Sequence, residues 1–397
     1  MELRASDSVT LPLVGIEIAR DFSSFSIVFK DSDGTRLSTE VLNPLQYPRL
    51  DHEIANYKVA LFMQEDWPES RILNIVFKKQ RIGLLFSLQA LASQETQLTA
   101  NDRWNDCGFI ALQKILLGEY EYGSQELNVP STQLEPYQLI PQLITALYPD
   151  DTIVLVLDKS QCQKVMPDDL YESFFTICLP SLTLSGFFPQ VRESQMRNSS
   201  GLLEFDDQAK ELSLQAFSEQ FPVEAAAFFC DVLVPLMHRE QNPAFRLFLG
   251  YQVVEILMSN VYNSIVRDFA AKITTLPDIV SLKDLNDKLR EKLSEKKRIE
   301  LVIGSNLGKA TADSSRDLLK ECNALLTAIN ETPRESVGNA LYKVRNYVVH
   351  SFSRVEAKNS HLEAIAWKLL VVLCNLAIEY RSADLSQIWS SPSDPDK

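Results

Sequence analysis

Arg345-Asn346-Tyr347-Val348-Val349-His350 is the stretch on which the reading of this chain turns. Asn330-Glu331-Thr332-Pro333 precedes it, a signal that ends one helix and opens the next. Thr332 as N-cap and Pro333 at the first helical position predict a helix over 334–351. Successive helical residues are turned by about 100°. Ala340, Leu341, Val344, Tyr347, Val348 and Ser351 therefore share one side, the expected core stripe. Tyr342, Arg345, Asn346, Val349, His350 and Ser353 share the other, with Arg345 and His350 at its two edges. That face is too apolar for an indifferent solvated surface. It is expected to meet a second copy of itself about a twofold axis, gathering two arginines and two histidines in one cleft.

The neighbouring segments are helical in pattern as well. Val223–Met237 is apolar with few breaks. Pro243 opens an expected long helix, Ala244–Ala271, in which Phe245, Leu249, Val253, Ile256 and Val261 recur near helical spacing. Ser281–Leu301 and Ala312–Ile329 are amphipathic, and Ser360–Tyr380 is strongly apolar. Residues 216–385 thus read as an all-α bundle, and the Ser-, Pro- and Asp-rich 386–397 as a disordered tail.

Upstream the pattern changes. Leu13–Ile18, Phe25–Phe29, Tyr57–Phe62, Ile72–Phe77 and Thr152–Leu157 are short apolar or alternating runs, expected as strands. Ile82–Ala92 and Trp104–Leu117 have helical spacing, and Pro180–Pro189, broken by two prolines and a glycine, reads as strand or loop. Residues 1–215 are expected to form an α/β domain ending within Ala209–Gln220. The whole chain is then of mixed α+β class.

Composition bounds the function. A net charge of −14 over 397 residues argues against broad, sequence-independent binding to duplex DNA. The charge is uneven: residues 1–215 carry −13 and residues 216–397 carry −1. Contact with nucleic acid is expected of the second half, and a sensing or regulatory role, with a protein or ligand trigger, of the first. The apolar runs are too short to span a bilayer and the N-terminus lacks a signal core, so a cytoplasmic protein without membrane attachment is expected. Six scattered cysteines (Cys107, Cys162, Cys178, Cys230, Cys322, Cys374) and four histidines (His52, His238, His350, His361) offer no metal-ligand spacing. No metal or cofactor is expected, and the thiols read as free and packed in cores.

The six-residue stretch holds a kit for cutting RNA, which carries its own nucleophile in the 2′-hydroxyl. His350 has the chemistry of a general acid or base near neutral pH. Arg345 presents a planar fork of donors for phosphate oxygens. Asn346, one turn before His350, is placed to orient the ring or bind phosphate. Arg-x4-His with Asn after the arginine, on the penultimate helix of a helical C-terminal domain, resembles the HEPN superfamily over Phe221–Tyr380. The resemblance implies a homodimeric bundle with paired motifs in a composite cleft. It implies a metal-independent endoribonuclease leaving 2′,3′-cyclic phosphate and 5′-hydroxyl ends, of the kind used as toxins and in anti-phage defence. Arg345, Asn346 and His350 are the residues that carry over. Tyr251-Gln252-Val253-Val254-Glu255 is also similar to stretches in such proteins; it leaves Glu255 either paired with Arg345 or at the surface, with Tyr342 in support. One subfamily modifies a tyrosine two positions after the histidine; Phe352 stands there, and that activity is not carried over. Some members act only as dimerising, partner-binding scaffolds, which is the alternative function.

Three further stretches bear on chemistry. Gly304–Thr311 resembles a phosphate loop but has three residues between its glycines and Ala310 after Lys309. It reads as an inter-helix loop, with Lys309 as a candidate RNA contact. Lys296-Lys297-Arg298, with Lys288, Arg290 and Lys292 upstream, reads either as a solvated face balanced by Asp287, Glu291, Glu295 and Glu300 or as an RNA-guiding rim. Asn105-Asp106-Cys107-Gly108, at an expected helix start, is similar to the nucleophile segment of papain-like cysteine peptidases, where the helix dipole lowers the thiol pKa. Cys107 is thus the nucleophile of a second alternative, a thiol hydrolase, although His52 is the only histidine in that half.

Overall fold

The computed structural model describes residues 2–6, 9–19, 24–30, 33–42, 54–64, 67–92, 102–122, 126–127, 143–190, 209–274, 294–303 and 308–381, with 283, 286, 287, 289 and 290. His52, Lys288, Lys292, the 304–307 part of the loop-like stretch, most of 281–293 and the tail 386–397 lie outside them. The described residues form two units: 2–176 with 186–190 and 209–215, and 177–185 with 216–381.

The first unit is built from β1 (Glu2–Ser6), β2 (Val9–Ile18), β3 (Ser24–Lys30), β4 (Arg36–Leu42), β5 (Tyr57–Met63), β6 (Ile72–Phe77), β7 (Gln80–Ser87), β8 (Glu126–Leu127), β9 (Thr152–Asp158), β10 (Phe188–Pro189) and β11 (Glu211–Leu214). They make a five-stranded sheet in the order β4-β3-β2-β1-β8 and a six-stranded sheet in the order β10-β5-β9-β7-β6-β11. Pairing is antiparallel except for β1–β8 and β6–β11. The longest of its described helices, α1 (Asp102–Leu117), is buried without a break from residue 106 to 112. Ile110, Leu112 and Ile115 join Phe25, Ile27 and Phe29 of one sheet and Val59, Phe86 and Val154 of the other in a single core.

One expectation for this unit fails and a second holds only in part. Ile82–Ala92 is β7 followed by a 3-10 turn, Leu88–Leu91, and not a helix. β7 lies between β9 and β6 and is buried on both faces, so it has no alternation to show. Its hairpin turn is made by Lys78 and Lys79 at φ 48° and 66°, without the Asn-Gly pair that announces such turns. A Cβ at Gly83 would stand 2.1 Å from the Val156 carbonyl oxygen, so only glycine lets β9 pair this closely. Pro180–Pro189 contains a helix, α2 (Leu179–Leu184), with proline in its first turn, ahead of β10. Residues 177–185 belong to the helical unit, so the single boundary expected near 209–220 misses this excursion.

The second unit is helical. Val223–Phe228 runs through a π turn, Phe229–Leu233, into Val234–Met237; together they form α3. The rest are α4 (Pro243–Ile273), α5 (Glu295–Ile303), α6 (Lys309–Ala328), α7 (Val337–His350) and α8 (Asn359–Glu379). Asn242 caps α4, accepting from the Ala244 and Phe245 amides at 3.0 and 3.4 Å, and Pro243 occupies its first position. α8 is the hub, packed on α4, α6 and α2. It is the one described helix long and apolar enough to cross a membrane, and 67% of that stretch is buried inside the protein. Gly250 lets α4 and α8 approach, since a Cβ there would lie 2.9 Å from Leu369.

Candidate functional site

α7 carries the Arg345–His350 stretch, and it starts later than the sequence suggests. Ser336, not Thr332, is the N-cap, and Pro333 lies outside the helix. Ala340, Leu341, Val344 and Tyr347 are buried as the core stripe, while Val348 and Ser351 are half-buried. On the other face Tyr342, Arg345 and Asn346 are half-buried and Val349 and His350 exposed. The helix ends at His350, so Ser353 falls in the following 3-10 turn and not on this face.

Arg345 is held from three directions. Its Nη2 lies 3.4 Å from Glu255 Oε1 on α4, and its Nη1 donates to Asn346 Oδ1 at 3.3 Å. Its guanidinium sits 5.5 Å from the centre of the Tyr251 ring. Glu255 is itself fixed by Gln252, whose Nε2 donates to Oε2 at 3.1 Å. The Tyr251 hydroxyl donates to Glu295 of α5 at 2.9 Å; burial, then that carboxylate, pushes its pKa far above the usual phenol value. Tyr251 and Glu255 are one helical turn apart, which is why both reach the same guanidinium.

His350 is exposed at the C-terminal end of α7. It makes no hydrogen bond or ion pair among the described residues. Five residues along a helix turn about 140° and rise about 7.5 Å, so Arg345 and His350 of one chain are not brought together. Around His350 the surface is apolar: Val349 is 45% and Phe352 37% exposed. Phe245 and Phe248 of α4, stacked at 6.2 Å, are also exposed, about two turns and one turn before Tyr251 respectively.

The basic triplet does not act as one rim, because consecutive helical residues point in different directions. Lys296 reaches Tyr342, with Nζ 5.5 Å from the ring centre. Arg298 points to Tyr262 of α4 at 5.7 Å. Lys297 is half-buried between them. Lys296 and Tyr342 border a cleft of about 470 Å³ whose wall continues through Arg334, Asn339, Lys343 and Asn346. Arg334, Asn339 and Lys343 were not singled out by the sequence; for Asn339 and Lys343 the cue was their i, i+3 spacing to Tyr342 and Asn346, while Arg334, ahead of the helix, carried none.

Behind the cleft, Glu331 pins the helix. The Tyr347 hydroxyl donates to it, and Arg334, Arg354 and Lys343 lie 3.7, 3.7 and 3.9 Å away. Arg354 also donates to the Tyr347 hydroxyl at 3.1 Å and to the Ile329 carbonyl at 3.3 Å. The Tyr347 hydrogen bond, followed by the three cations, holds the Glu331 carboxyl below its usual pKa.

The other candidates fall away from this group. Lys309 is exposed at the start of α6. There the place a phosphate would take in a phosphate loop is filled by Glu379, which accepts from the Thr311 amide at 2.9 Å and its hydroxyl at 2.7 Å. A Cβ at Gly308 would stand 2.2 Å from that carboxylate. Cys107 is 3% exposed, and α1 begins at Asp102, so the thiol lies past the first turn, where the dipole effect has faded. The helix start expected at Asn105 is thus corrected, and with it the geometry an accessible thiol nucleophile needs. All six cysteines are buried thiols. Among the described residues no group of His, Cys, Asp and Glu could hold a metal ion. No protein-family model, no curated protein and no solved structure matches this chain.

Proposed function

We propose that the helical unit is a HEPN-type endoribonuclease that works as a homodimer and needs no metal. The observation that carries this reading is the face of α7: a guanidinium held ready by Glu255, Asn346 and Tyr251, and an exposed imidazole at the helix end, bordered by uncovered apolar side chains. One chain keeps Arg345 and His350 at opposite edges of this face, about 140° apart around the helix. A twofold partner set against Val349 and Phe352 supplies the second pair. In the shared cleft one His350 takes the proton of the ribose 2′-hydroxyl as its oxygen attacks phosphorus. The other protonates the departing 5′-oxygen, and the P–O5′ bond breaks to leave a 2′,3′-cyclic phosphate. Arg345 stabilises the added charge on the phosphoryl oxygens, and Asn346 keeps the guanidinium aligned. The acidic first unit regulates this activity, as in a toxin or an anti-phage effector; that step rests on analogy.

The Glu255 carboxylate favours a second reading. It offsets the Arg345 charge that a phosphate would use, as in a scaffold that only dimerises and binds a partner. Incubation of the purified protein with RNA in EDTA separates the two. The nuclease reading expects cleavage by the wild type, cyclic phosphate ends, and a loss of about 100-fold or more in His350→Ala. Equal cleavage by both proteins, or none by either, removes it.

A further inference from the structure

The cleft beside Asn346 is a separate feature from the Arg345–His350 pair, and its chemistry is specific. Lys296, Arg334 and Lys343 bring three cations to it, against one lining carboxylate, Glu335. Glu331 pairs with Arg334 and Lys343 from behind at 3.7 and 3.9 Å, beyond hydrogen-bond length, so it offsets part of their charge without taking up a donor. The cleft opens at the N-terminal end of α7, where the helix dipole adds positive potential. Its wall also holds an aromatic ring, Tyr342, and two side-chain amides, Asn339 and Asn346. A volume of about 470 Å³ lies in the range of small-ligand sites. Cations for a phosphate, a ring for stacking and amides for a base edge together match a single unstacked nucleotide. Asn346 is shared: its Oδ1 accepts from Arg345 while the residue lines the cleft, so an occupant adjoins the phosphate that Arg345 would hold.

We infer that this cleft is a nucleotide subsite for single-stranded RNA, seating the residue next to the scissile phosphate with its own phosphate on Lys296, Arg334 and Lys343 and its base against Tyr342. The inference rests on the endoribonuclease reading for the word "scissile", but binding is testable without cleavage. A base held in a duplex is stacked and cannot enter a cleft of this kind. The subsite therefore selects single strands, in keeping with a net charge of −14, which argues against broad binding to duplexes.

The test uses the full chain and a short fluorescein-labelled 2′-O-methyl RNA, which lacks the nucleophile and cannot be cut. Fluorescence anisotropy should show the single strand binding more tightly than its duplex. Tyr342→Ala should weaken binding by about fivefold or more. Lys296→Ala should weaken it and reduce the slope of log K against log salt by about 0.7. Asn339→Asp is the control for folding: Asn339 is exposed in the first turn of α7, where a carboxylate suits the helix, yet it should repel the ligand. Binding that is absent, indifferent to strandedness, or unchanged in these variants overturns the subsite. RNA cleavage that persists unaltered in Lys296→Ala and Tyr342→Ala overturns the subsite and leaves the nuclease standing. Binding that follows these residues in a protein that never cuts RNA upholds the subsite and removes the nuclease.

Discussion

At the scale of single residues, charge neutralisation is the recurring device. Arg345 meets Glu255 with both side chains partly exposed, 25% and 36%, so the pair is worth at most about 1 kcal/mol of stability. Its consequence is positional: the guanidinium stays on the face of α7 and does not sweep through solvent. Glu331 plays the corresponding part on the opposite side, where it collects Tyr347, Arg334, Lys343 and Arg354. Its folded pKa lies below its unfolded one, so its stabilising contribution is present above the unfolded pKa and is lost as pH falls through the folded value. Glu331→Gln should accordingly melt below the wild type at pH 7, and the gap should close in acid. A gap that persists at about pH 2, below the carboxylate range, would show that packing, and not charge, holds this corner.

Among the elements, α7 is fixed by close approach as much as by charge. α5 and α7 touch at Gly338, whose amide donates to Glu300 at 3.0 Å. A Cβ there would stand 2.9 Å from the Glu300 backbone nitrogen and 3.0 Å from the Lys296 carbonyl oxygen, both rigid backbone atoms. Alanine normally gains about 1 kcal/mol over glycine inside a helix. Here the clash should reverse the sign, and Gly338→Ala is expected to lower stability by about 1–3 kcal/mol in urea unfolding. Because Lys296 belongs to the same contact, the variant should also disturb the cleft. A stabilised Gly338→Ala protein would mean that the two helices can part at little cost.

For the whole molecule, the decisive matter is what covers the apolar side chains around His350. Val349 and Phe352 are exposed in the isolated chain. If a second copy covers Val349, light scattering should give twice the chain mass of 45.0 kDa. Val349→Glu should then give a folded monomer with RNA cleavage reduced at least about tenfold, because a charge in an apolar interface is costly while the exposed position tolerates it in the monomer. A wild type that is monomeric at the highest soluble concentration would remove the shared cleft.

What the sequence determined by itself was whatever follows from local periodicity and end signals. The long helices of the second unit were legible because 3.6-residue spacing and openers such as Pro243 are local properties. The two faces of α7 and the isolated strands Tyr57–Met63, Ile72–Phe77 and Thr152–Asp158 were legible for the same reason. Other features were set by distant residues. β7 reads like a helix because a strand buried on both faces has no alternation, and Pro180–Pro189 hid a helix that belongs to the other unit. The start of α7 moved from Thr332 to Ser336, a choice between two capping residues that the packing around Asn323 and Arg334 resolves. Within the site, the sequence supplied Arg345, Asn346 and His350 and named Glu255 as either a partner of the arginine or a surface residue, but only the folded chain decided for the pairing, joined Tyr251 and Glu295 to the group and set Lys296 beside Tyr342. Those partners lie tens of residues apart, and their meeting depends on how the helices cross, which no local spacing records.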